Sequence, residues 1–65
     1  MQLVINGKSE EREAATVAAL LSLRGNDPGK VVVELNGVIV PREEYAATSL
    51  TAGDRLEIVQ FVGGG

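Results

Sequence analysis

The chain has 65 residues, 45% of them apolar and 23% charged, with a net charge of −3 and neither cysteine nor histidine. That is one small domain, without disulfides or a Cys/His zinc site, so its core must hold by packing. The two zeros also remove the Cys nucleophile, the His general base and the Ser-His-Asp triad. Self-contained covalent or acid–base catalysis is therefore not expected, and the chemistry should belong to a partner enzyme. Six scattered basic residues in an acidic chain argue against nucleic acid. Apolar runs of four or five residues are far short of the ~20 needed to cross a bilayer. The opening MQLVINGK lacks the basic-then-apolar order of a signal peptide, so a cytoplasmic location is the default expectation.

The first run, Gln2 to Asn6, reads as a strand stopped by Asn6-Gly7, a hairpin signal because type I′ turns need positive φ at both central positions. The returning strand is expected over Lys8 to Glu13. It lacks apolar alternation, and its charges suit an edge that must resist pairing with other chains. Thr16 then offers an N-cap hydroxyl to Val17–Arg24, in which Val17, Leu20 and Leu21 share a helical face. Arg24 suits the negative end of the helix dipole, Gly25 suits the position after the helix, and Asn26-Asp27-Pro28-Gly29 reads as a turn-rich loop. Val31 to Leu35 is a β-branched strand. Asn36-Gly37 turns it into Val38-Ile39-Val40, which Pro41 ends. Pro41 to Tyr45 fits a short helical turn, Thr51 to Asp54 another turn, and Arg55 to Gln60 the last strand.

The order is two strands, a helix, then three strands. A single helix must cover one face of a mixed sheet. The expected class is α+β, a β-grasp (ubiquitin-like) arrangement of four to five strands on one main helix, with a domain at 1–62 and a flexible glycine tail at 63–65. Alternation puts Leu3, Ile5, Val31, Val33, Leu35, Leu56 and Ile58 under the helix. It leaves Val4, Val32, Val59 and Phe61 on the opposite face, either as ordinary solvated sheet or as an apolar patch that docks a partner.

The chain closes Phe61-Val62-Gly63-Gly64-Gly65. The glycines are either a frayed end or a narrow peptide that threads a tunnel and presents the Gly65 α-carboxylate to another enzyme. That carboxylate, ionised at neutral pH, could attack the α-phosphate of ATP held by the partner, and the acyl-adenylate could then accept sulfur.

Taken together, Met1-Gln2-Leu3 with Asn6-Gly7, Thr16-Val17 heading a Leu-Leu helix, Glu34-Leu35-Asn36-Gly37, Val40-Pro41-Arg42 with Tyr45, Gly53-Asp54-Arg55 before Glu57-Ile58-Val59, and the terminal Gly-Gly resemble ThiS, the sulfur-carrier family of thiamine biosynthesis. The resemblance implies that Gly65 is adenylated by a ubiquitin-activating-like adenylyltransferase that uses ATP with Mg. It implies conversion to a thiocarboxylate by a persulfide donor protein, and delivery of that sulfur to thiazole synthase. The chain itself would bind no cofactor, metal, nucleic acid or membrane. Gly63, Gly64, Val62, Phe61 and Val59 are the implied partner contacts. Tyr45 stands where relatives often carry Trp, the glycine many of them carry before the helix is missing from Glu13-Ala14-Ala15, and Gly63 adds a third glycine. A carrier for molybdopterin or another product, a ubiquitin-like modifier, and a passive interaction domain are the competing readings. Asp54 reads first as a turn residue, Arg42 as solvated or locally paired, and Glu10, Glu11 and Glu13 as a solvated face.

Overall fold

A computed structural model describes residues 1–61. Strand β1 (Gln2–Ile5) turns at Asn6-Gly7 into β2 (Lys8–Glu11); helix α1 (Val17–Arg24) follows; β3 (Val31–Leu35) turns at Asn36-Gly37 into β4 (Val38–Ile39); and β5 (Arg55–Gln60) closes the order. The five strands lie in one sheet in the order β2-β1-β5-β3-β4. β5 is central, parallel to β1 and antiparallel to β3. This is the expected α+β β-grasp, with five strands.

Both hairpin turns form as their dipeptides require. Asn6 and Asn36 each have φ 52°, and Gly7 and Gly37 have φ 82° and 86°. β2 stops at Glu11, short of the expected Glu13; Arg12 still exchanges bonds with Met1, its N–H donating to the Met1 carbonyl at 2.9 Å and its carbonyl accepting from the Met1 ammonium at 3.0 Å, and the chain then leaves the sheet. β4 is only two residues, yet the Val40 N–H still reaches the Val33 carbonyl at 2.9 Å. The loop expected at 26–29 contains a short 3-10 turn, Pro28–Lys30, capped by the Asp27 carboxylate.

The start of α1 satisfies its orphan amides. Thr16 Oγ1 accepts from Ala19 N at 3.1 Å, and the carbonyls of Thr48 and Tyr45 accept from Val17 N and Ala18 N at 3.0 Å each. The segment after the second hairpin is thus pinned to the helix N-terminus. Gly25, at φ 74°, closes the other end. Val17, Leu20 and Leu21 point down onto Leu3, Ile5, Val31, Val33, Leu56 and Ile58, all buried, with Leu35 packed against them partly exposed. Ala14, Val40, Tyr45 and Leu50 complete the core. Tyr45 is the packing aromatic the sequence suggests, and its hydroxyl donates to the Val31 carbonyl at 3.3 Å.

Candidate functional site

Strand β5 carries the chain out of the domain, so its alternation decides what surrounds the exit. Leu56 and Ile58 face the core, which sends Arg55, Glu57 and Val59 to the open face. Val59 sits directly opposite Val32 on β3 and is 60% exposed, against 37% for Val32. Phe61 follows at 48% exposed, its N–H donating to the Lys30 carbonyl at 2.9 Å. These three side chains form an open apolar surface at the end of the sheet where the chain leaves it. Val62, Gly63, Gly64 and Gly65, and the boundary expected after residue 62, lie outside the described residues.

Val4 does not join that surface. Its partner in the sheet is Arg55, at the opposite end of β5, and the acidic pair Glu34 and Glu57, directly opposite each other, stands between it and the Val32–Val59 pair. The apolar face expected from alternation is therefore interrupted, because parallel pairing places β1 against the start of β5. Sequence reasoning also passed over Val38 and Ile39, 68% and 62% exposed on the edge strand β4. The signal was present in Glu34, whose register partner is Ile39.

In the acidic segment Glu11 and Glu13 are solvated as expected, Glu10 is half-buried, and all three carboxylates are also paired. Glu10, opposite Leu3 on the helix side, accepts from Arg12 at 2.9 Å and from Arg24 at 3.2 Å. The bond from Arg12, with the Arg24 charge, holds its carboxyl below the usual value. Glu11 and Glu13 reach the Met1 ammonium at 2.6 and 3.4 Å, and the Glu11 bond raises that amine's pKa. Asp54 is a turn residue, its carboxylate accepting from Thr51 N at 2.7 Å and Asn36 Nδ2 at 3.0 Å. The exposed Arg42 guanidinium donates to the carbonyl of Gly29, 13 positions away, at 3.4 Å. Among the described residues no group of three or more acidic, His or Cys side chains could hold a metal, and no helix is long and apolar enough to cross a membrane.

The model of the ThiS family matches residues 3–65. The sulfur carrier protein ThiS of Bacillus subtilis is 37% identical over 97% of this chain and 98% of its own length. The crystal structure of the thiamine biosynthesis protein ThiS from Geobacter metallireducens superposes with a TM-score of 0.81, at 40% identity and full coverage of both chains. Two thiazole synthases, from Paramagnetospirillum magneticum and Magnetococcus marinus, are 52% and 41% identical over all of this chain, which spans about a fifth of their length.

Proposed function

The chain belongs to the ThiS family, and we propose on that footing that it is a sulfur carrier of thiamine biosynthesis acted on by partner enzymes. The observation that carries this reading is the similarity to a sulfur carrier protein over 97% of this chain and 98% of that protein. A Gly65 carboxylate oxygen attacks the α-phosphorus of ATP on an activating adenylyltransferase, using Mg, and pyrophosphate leaves. The outer sulfur of a persulfide donor displaces AMP from the carbonyl, and a thiol then breaks the S–S bond that still joins it to the donor, leaving a disulfide on the thiol side and a thiocarboxylate on Gly65, the form that gives up sulfur to thiazole synthase. The similarity to two thiazole synthases supports that acceptor.

The chain's own contribution is shape. Gly63, Gly64 and Gly65 carry no side chains to obstruct a narrow tunnel. Val59 and Phe61, with Val32 opposite Val59, supply the apolar shoulder against which a partner seats, and Val62 is the next contact proposed along the chain. Exposed aromatic and branched side chains next to a tether are what a transient protein interface needs.

The test is intact-mass spectrometry after incubation with the activating enzyme, ATP, Mg and a sulfur source. One oxygen-to-sulfur exchange at Gly65 is expected, and none in a variant lacking Gly64 and Gly65. No exchange, with an activating enzyme competent on another substrate, would overturn the reading. High-mass conjugates in its place would identify a modifier.

A further inference from the structure

The two Asn-Gly turns have a chemistry of their own, independent of the tail. In an Asn-Gly pair the glycine nitrogen, unhindered by a side chain, can attack the asparagine Cγ. The new C–N bond forms as the Cγ–Nδ2 bond breaks, ammonia leaves with a proton, and water opens the succinimide at either carbonyl to give aspartate or isoaspartate. No oxidant or reductant is involved. The fold slows this step by engaging the side-chain amide elsewhere, so the turn must open before it reacts, and the more easily opened turn reacts first.

The turns are engaged unequally. The Asn6 amide bonds the main chain of the central strand in both directions, accepting from Ile58 N at 2.8 Å and donating to the Ile58 carbonyl at 3.2 Å, and both bonds are partly buried. Its own N–H donates to the Leu56 carbonyl at 2.9 Å, as the Asn36 N–H does to the Arg55 carbonyl at 2.7 Å, so this main-chain bond does not separate the two turns. This turn closes a ladder of four residue pairs, Gln2 opposite Glu11 through Ile5 opposite Lys8. The Asn36 amide accepts from Arg55 N at 3.0 Å, but its nitrogen donates to a side chain, the Asp54 carboxylate, at 3.0 Å, and both bonds are exposed. Its turn closes only two pairs, Glu34–Ile39 and Leu35–Val38; both hairpins end on an edge strand, so it is the shorter ladder that sets this one apart. Both turns are exposed, so water reaches either site of hydrolysis and the difference between them lies in how the amides and ladders hold them.

We infer that Asn36-Gly37 is the site at which the folded protein deamidates, ahead of Asn6-Gly7. The product does not restore the turn. Aspartate at 36 sets a second carboxylate against Asp54 in place of a donor. Isoaspartate inserts a methylene into a two-residue turn and shifts the register of β4.

The test is peptide mapping of the folded protein held at 37 °C in mildly alkaline buffer, with isoaspartyl methyltransferase as the reporter of isoaspartate. Conversion at 36 is expected about tenfold faster than at 6, reflecting the difference in local opening, whereas in concentrated urea the two positions convert at similar rates. Equal native rates, faster conversion at 6, or a native chain inert at both positions would overturn the inference. Asp54→Ala removes the partner of the Asn36 amide and should speed conversion at 36 several-fold while leaving 6 unchanged. Acceleration at both positions would show general loosening, and an unchanged rate at 36 would show that Asp54 does not restrain it; either result overturns the assignment of the clamp.

Discussion

Apolar side chains stand on both faces of the sheet and have opposite fates. On the helix side Leu3, Val33 and Leu56 are buried, beneath Val17, Leu20 and Leu21; on the other side Val32 and Val59, apolar as well, stay open. The difference is one of cover. One eight-residue helix can hide one face, so in β5 each side chain is assigned to stability or to surface by its parity. Hydrophobicity alone therefore says little about what a residue contributes in a domain this small. Position relative to the helix says most of it.

The sharpest way to break that comparison is to truncate one residue from each side. Leu20→Ala removes a fully buried side chain at the centre of the core and should destabilise by about 3 kcal/mol. That is a large share of the stability available to ~60 residues. Val59→Ala should change stability by less than about 0.5 kcal/mol, while weakening engagement of the activating enzyme if the shoulder serves as proposed. Urea unfolding of both variants decides the stability half. A Val59→Ala loss comparable with that of Leu20→Ala would show that the open face is covered in solution, for instance by a second copy.

Smaller effects sharpen the account of what pins the uncovered segments. Thr16→Ala removes the acceptor for the Ala19 N–H and should cost about 1 kcal/mol. Tyr45→Phe deletes the donor to the Val31 carbonyl but keeps the ring in the core. It should cost about 1 kcal/mol as well, because a buried carbonyl loses its partner. Thermal unfolding of the two variants checks both values, and a neutral Tyr45→Phe would show that water or another donor replaces the hydroxyl.

The parts legible in the sequence are those with local causes. Positive φ at Asn-Gly, the Thr16 cap and the Gly25 stop act within a few residues, and all appear where expected. The alternation of β3 and β5 also needed no knowledge of their neighbours. What escaped depends on pairing between distant residues. Leu50 sits in a stretch without periodicity, and it is buried because its N–H bonds the Ala15 carbonyl and Ser49 bridges to Thr16. Val4 looks like a member of the open patch until the parallel register of β1 and β5 sets it beside Arg55. The end of β2 follows from its pairing with β1, which reaches no further than Gln2 opposite Glu11 and the bonds between Met1 and Arg12. At the candidate site, Val59 and Phe61 followed from parity, whereas the acidic interruption at Glu34–Glu57 followed from register.

The faintest expected effects lie on β2, where the same two-faced logic reappears in charge. Glu10 faces the helix side with Arg12 and Arg24, and Glu11 faces away with the Met1 ammonium. The bond from Arg12 lowers the Glu10 pKa from its ordinary 4.5. Its contribution is therefore present above that value and is lost as pH falls through the folded pKa. The bond to Glu11 raises the Met1 amine from 8.0, so its contribution is present below 8.0 and is lost as pH rises through the folded pKa. The two act at opposite ends of the pH scale, and a stability profile should sag slightly at each. Glu10→Gln should flatten the acid limb alone, and Glu11→Gln the alkaline limb alone. Salt should shrink both effects, since these pairs are reached by solvent. A Glu10→Gln variant that altered the alkaline limb would mean that the two clusters are coupled through β2, and the separation of its faces would then fail for charge although it holds for packing.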